Sequence, residues 1–442
     1  MARVIIVGGG IAGLAAAAAL GSTPGYEVQL FETRAFLGGR ATSYPAPATS
    51  DGETAETIDN CQHILLKCCV NLCDLYRRLG VLDKIEFHKR FYFIEPGGRT
   101  STLEAGVLPA PAHFTESFLR AKYLSLADKV SLTRGLLALK SEYKTRKDLD
   151  SITMLEWLLE KRQTPRVIER FWRQVLVSAI NEELDKMAAA HGFQVFWLGF
   201  LTRRDSYEMG IPKVPLGDLY SDEVWRRFPA VEILGRRPVE RIMIEDGAVK
   251  GMRTADGEIH EADFYISAVP FDRIGALAPE AEVDVAPFSH VPITGIHLWF
   301  DRKVTDLPHA TLLDRTIQWM YNKSEGKYLQ LVVSASRSLT SMARADVIAL
   351  GLRELAEFFP AVAEAKVVKA HVVKEVRATF SAAPGLEARR PLSATKIRNL
   401  FLAGDWTRSG WPSTMEGAVR SGYKAAEAVL KTQGAFLIPD NG

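Results

Sequence analysis

Apolar positions along the chain change their period several times, and each change marks an element. The stretch RVIIV is a continuous apolar run of strand length. It breaks at Gly8-Gly9-Gly10-Ile11-Ala12-Gly13 and gives way to an alanine-rich run that favours helix. The pattern predicts strand, tight turn and helix; because the apolar run ends in glycines instead of a small-residue cleavage site, it reads as a first strand. A second strand, YEVQLFE, ends in Glu32. Between residues 231 and 267, short apolar runs alternate with the turn pairs Asp246-Gly247 and Asp256-Gly257, predicting an antiparallel meander that closes on FYISAVP. Residues 101–225 read largely as helix; ITGIHLWF alternates like a strand, and RADVIALGLRELAEFF has helical period. Residues 399–403 form a last apolar strand, and a helix begins around Met415.

The first of these units carries chemistry. Gly8 permits the turn, Gly10 lets a pyrophosphate approach the backbone, and Gly13 lets helix and strand pack closely. Ile11 and Ala12 then stand at a helix N-terminus, where phosphate charge is favoured. Glu32, about twenty residues on, suits a ribose hydroxyl, with Thr33 and Arg34 beside it. A second glycine pair, Gly38-Gly39, precedes Arg40, whose planar fork matches phosphate oxygens. Far away, the last strand runs into Gly404-Asp405 ahead of the helix that opens at Met415, Glu416 and Ala418.

These two markers together resemble the GG-doublet flavoproteins that include amine oxidases and phytoene desaturases. The resemblance implies bound FAD, with Asp405 at the ribityl chain, the Met415 helix facing the flavin, and Val239 meeting the adenine through its backbone. It implies an α/β fold: a Rossmann-like FAD-binding domain assembled from residues 1–100, 226–290 and 385–432, and a discontinuous α+β substrate domain from 101–225 and 291–384. The pocket is expected between the two.

Charge and composition narrow the partners. Fifty-five Lys and Arg against 53 Asp and Glu leave a formal net charge of +2, too balanced for a nucleic-acid surface. No stretch offers the ~20 uninterrupted apolar residues of a spanning helix, so the expected location is cytoplasmic or at the inner face of a membrane. Residues 187–202, MAAAHGFQVFWLGFLT, are apolar and aromatic, which fits either a core helix or a dip into a membrane interface. The four cysteines, Cys61, Cys68, Cys69 and Cys73, crowd into one segment, unlike a secreted disulfide framework. Cys69 and Cys73 with His63 would suit zinc only weakly, lacking any paired CxxC, and no metal is expected.

A narrower resemblance rests on DNCQHILL, RFWRQVLVSAINEELDKMAA, EVRATFSAAPGLEARRP and LFLAGDWTRSGWPSTMEGAVRSG. Together these are similar to the hydroxysqualene dehydroxylases of bacterial squalene and hopanoid synthesis, along most of the chain. That likeness implies reduction of a C30 isoprenoid alcohol to squalene by flavin hydride, with an electron donor that the sequence does not disclose. A polyprenoid desaturase or an amine oxidase is the alternative reading, and a flavin-holding carrier without turnover a third. One departure stands out: the related segment reads DNGQH, and here Cys61 replaces the glycine. In these relatives the segment runs to the flavin ring. His63, ordinarily near 6.5, is therefore the expected proton donor and Asp59 its orienting partner.

Overall fold

The computed structural model describes residues 1–46 and 56–440. Its first sheet is parallel and five-stranded, in the order Val231–Leu234, Tyr26–Phe31, Ala2–Val7, Phe264–Ser267, Leu400–Leu402. Strands from three distant parts of the chain thus lie side by side. The helix Ile11–Gly21 is buried at every position from Ile11 to Leu20, which explains its alanines. It is squeezed between this sheet and the helix Met415–Leu430, where larger side chains would not fit. At Gly13 a Cβ would lie 2.0 Å from the carbonyl oxygen of Gly8, so only glycine allows the strand and helix to pack.

The meander expected over 231–267 is only partly present. Val239–Glu245, Ala248–Thr254 and Ile259–His260 form a small antiparallel sheet. The flanking Val231–Leu234 and Phe264–Ser267 belong instead to the parallel sheet, on opposite sides of Ala2–Val7. A short apolar run looks the same in either pairing, so periodicity does not reveal which sheet receives it.

The second large sheet has seven strands, in the order Val367–Phe380, His290–Phe300, Tyr328–Val333, Trp319–Ser324, His309–Leu312, Arg90–Ile94, Thr100–Glu104. The boundary drawn at residue 100 runs through the hairpin of the last two strands. One face packs Ile296, Leu298 and Leu331 against Val347 and Leu355 of the helix Arg344–Phe358. The other face carries Phe91, Trp319, Tyr321 and Val332 into a larger core shared with the helices between residues 115 and 201. The α/β architecture anticipated from the sequence, a Rossmann-like unit joined to an α+β unit, is the one observed.

Residues 187–202 lie in this core. They form the helix Ala189–Phe196 and a wider turn, Trp197–Leu201, and none of them is exposed. Trp197 stacks on Tyr143 with ring centres 4.6 Å apart. The stretch is apolar because most of it is internal. Among the described residues no helix is long and apolar enough to cross one.

Candidate active site

Gly10 caps the helix Ile11–Gly21 without a side-chain hydrogen bond, and no acidic residue stands in the first turn. The leading amides of Ile11, Ala12 and Gly13 are therefore left without intrahelical partners, as an incoming anion requires. Glu32 closes the turn from the second strand: its carboxylate accepts from Gly9 N at 2.7 Å and from Arg34 N at 2.8 Å. Thr33 and Arg34 are exposed, and the Arg34 guanidinium lies over the Phe36 ring. Gly38 reaches the same turn by donating to the Gly9 carbonyl at 2.9 Å, and Gly39 follows it.

Arg40 and Asp405, 365 residues apart, meet at 2.5 Å, and Arg40 also donates to the Ala378 carbonyl at 2.8 Å. The other Asp405 oxygen accepts from Ser413. Gly404 N donates to Ser421 at 2.8 Å, tying the strand end to the Met415–Leu430 helix. Arg390, which the sequence did not single out, holds the loop after Asp405. It is buried and donates to the carbonyls of Asp405 and Trp411, both at 2.7 Å, and to that of Thr407. Val239 begins its strand half-buried, and Met415 and Ala418 are half-buried at the helix start. Glu416 points elsewhere: its carboxylate accepts from Asn71 Nδ2 at 2.8 Å and Leu72 N at 2.7 Å, capping the helix Val70–Leu79. An uncapped helix N-terminus, an acid at the end of the second strand and a cation across from it fit a dinucleotide.

The segment 59–63 joins this unit to the seven-stranded sheet. Asp59 Oδ1 accepts from Ser43 at 2.7 Å and Leu216 N at 2.9 Å, and Oδ2 accepts from Lys323 at 3.2 Å. Asn60 donates to the Arg40 carbonyl at 2.6 Å. Gln62 Oε1 accepts from Lys323 at 2.9 Å. The crowding of polar groups in DNCQH follows: five hydrogen bonds tie four neighbours from three directions here, as buried polar atoms favour partners. Cys61 is absent from the positive-φ residues, so the thiol replaces glycine without left-handed strain. Its side chain is buried in the large core, and burial pushes the thiol up to about 12.

His63 bonds through Nδ1 to the Cys61 carbonyl at 3.0 Å. Burial pushes its imidazole below the ordinary 6.5, with the Lys323 and Arg40 cations acting in the same direction, against the charged form that a proton donor needs. Lys323 is the cation that the sequence reading missed. Nothing local marks it; its strand, Trp319–Ser324, lies more than 250 residues from Asp59. Among the described residues no group of three or more His, Cys, Asp or Glu could hold a metal.

The model of the family described as "flavin containing amine oxidoreductase" matches residues 11–430. The chain belongs to this family. It is an FAD-dependent oxidoreductase, and FAD is the cofactor that the uncapped helix, Glu32 and Arg40 accommodate. A zeta-carotene desaturase of Synechocystis sp. is 27% identical, with 98% of each chain covered. A 15-cis-phytoene desaturase of an Oncidium hybrid cultivar is 28% identical, covering 97% of this chain and 78% of the relative. A putrescine oxidase solved with putrescine shares the fold with a TM-score of 0.71 at 15% identity, covering 97% of this chain and 99% of that one. An oxidoreductase from Methanosarcina mazei does so with a TM-score of 0.70 at 18% identity, covering 96% and 100%.

Proposed function

We propose that the enzyme reduces hydroxysqualene to squalene in squalene and hopanoid synthesis. The Gly8–Gly13 turn and Arg40 would hold FAD, which in its reduced form would supply the hydride that replaces the hydroxyl. The observation that carries the reading is Lys323: a largely buried ammonium, 17% exposed, held on Asp59 and Gln62 beside an aromatic face. Breaking a carbon–oxygen bond needs a proton for the leaving oxygen, and an ammonium has one to give, whereas desaturation of a hydrocarbon needs a base. Lys323 donates that proton, Asp59 holds it in place, and His63, kept neutral, positions the segment. The hydroxyl leaves as water, a carbon–hydrogen bond forms, and the surrounding aromatic side chains keep solvent from the electron-poor carbon.

A second reading, a polyprenoid desaturase, is favoured by the relatives that are zeta-carotene and phytoene desaturases. Product analysis under anaerobic conditions separates the two. Photoreduced enzyme given hydroxysqualene is expected to yield squalene. Oxidised enzyme given phytoene is expected to leave it unchanged; a desaturated product there, with no squalene in the first mixture, would establish the desaturase instead.

A further inference from the structure

The helix Leu126–Glu142 has an apolar stripe on the side that faces solvent. A capping box between Ser125 and Asp128 fixes its start, and Asp128, Ser131, Leu132, Gly135 and Leu139 turn inward. Leu126, Val130 and Leu137, spaced four and seven apart on the opposite side, are exposed, Leu126 by 76% and Leu137 by 62%. Leu119 and Leu159 extend the patch: the Lys129 ammonium reaches the Leu119 carbonyl at 2.7 Å, and Leu159 lies one turn from Arg162, which borders the same depression as Leu126 and Val130. Scattered exposed leucines need no explanation, but a contiguous set on one helix face marks a contact surface.

Charge identifies the contact. Residues 119–147 hold eight basic residues, among them Lys122, Lys129, Arg134 and Lys140, against two acidic ones, in a chain whose whole net charge is +2. Neither acid is free to offset them. Asp128 is buried, accepting from Thr164 and Ser125, and Glu142 is taken up by Arg146, Lys161 and Trp157. Beyond that window Glu116 pairs with Arg120, and Asp148 and Glu160 pair with Arg146; what remains along the helix is leucine and valine beside Lys129, Arg134 and Lys140.

We infer that this face docks on an anionic phospholipid bilayer, with the leucines entering the headgroup boundary and the cations meeting lipid phosphates. A second copy of this chain is a poor occupant, because a two-fold contact would set the same cations against one another. The location also serves an apolar substrate. Phe118, next to Leu119, begins a row of aromatic rings that continues through Phe114, Tyr207, Phe91 and Trp319 to Tyr321, each within 6.3 Å of the next. Tyr321 shares its core with Cys61 of the DNCQH segment. The docking itself does not depend on which isoprenoid is turned over.

Flotation of the FAD-loaded full chain with vesicles tests the inference. Vesicles containing phosphatidylglycerol are expected to carry the protein upward, and phosphatidylcholine vesicles to bind at least tenfold less. Lys129→Gln and Arg134→Gln should each weaken binding about fivefold, and Leu126→Glu with Leu137→Glu should abolish it. Leu392→Glu, exposed near the parallel sheet, should float like wild type with the same FAD content. Wild-type protein that stays at the bottom, or a Leu126→Glu/Leu137→Glu variant that floats unchanged, overturns the inference. So does a wild-type dimer that this double variant converts to monomer without any vesicle binding.

Discussion

Gly10 and Gly13 stand three residues apart and serve different ends. A side chain at Gly13 would strike the Gly8 backbone at 2.0 Å, whereas at Gly10 the nearest atom, Gly39 Cα, is 3.9 Å away and the backbone is extended, with φ at −75°. Gly13→Ala should therefore lower the melting temperature of the protein even without FAD. Gly10→Val should melt like FAD-free wild type yet retain no flavin, because its side chain fills the phosphate approach. Stoichiometric flavin in purified Gly10→Val would remove this turn from the cofactor site. At this scale the sequence spoke clearly where partners are near one another: the glycines, Glu32 and Arg40 sit within one strand–turn–helix and the loop after it. Lys323 gave no such sign, since its meaning comes from Asp59 and Gln62 across the fold. His63 was legible as a residue of the segment but not in its protonation, which burial decides.

At the scale of elements, the Met415–Leu430 helix carries an acid whose side chain serves a different helix. Met415 and Ala418 stand at its start, but Glu416 turns to cap the Val70–Leu79 helix, and burial pushes its carboxyl up to about 7. The folded protein therefore holds this proton more tightly than the unfolded chain. The resulting stability is complete below the ordinary carboxylate range, near 4.5, and is lost as pH rises through about 7. Glu416→Gln removes that dependence while sacrificing one accepted hydrogen bond at every pH. Thermal melts should show the variant well below wild type at pH 5 and closer to it, or above, at pH 8; a gap that stays constant across this range would contradict the account. Elements with strong local period, such as Ala2–Val7, Ile11–Gly21 and Arg344–Phe358, were readable in advance. The strands around residues 231–267 were readable as strands but not in their pairing, because a four-residue apolar run fits a parallel or an antiparallel neighbour equally. The apolar stretch 187–202 was ambiguous for a related reason: core and membrane select the same composition.

For the whole molecule, the decisive feature is the junction where the parallel sheet's cofactor loops meet the seven-stranded sheet. Asp59 bonds to Ser43 and Leu216 on one side and Lys323 on the other, with only 2% of its side chain exposed. One cation and one carboxylate thus meet where the parallel-sheet unit and the seven-stranded sheet adjoin, and the proposed reaction follows from which of them gives up a proton. The most direct test is anaerobic stopped-flow oxidation of photoreduced enzyme by hydroxysqualene, followed by counting the squalene formed. The account predicts one squalene per flavin oxidised in wild type and in His63→Gln, at rates within a few-fold of each other. In FAD-replete Lys323→Met the rate should fall about 100-fold or more. Flavin that stays reduced in the presence of hydroxysqualene, or a Lys323→Met variant as fast as wild type, would contradict it.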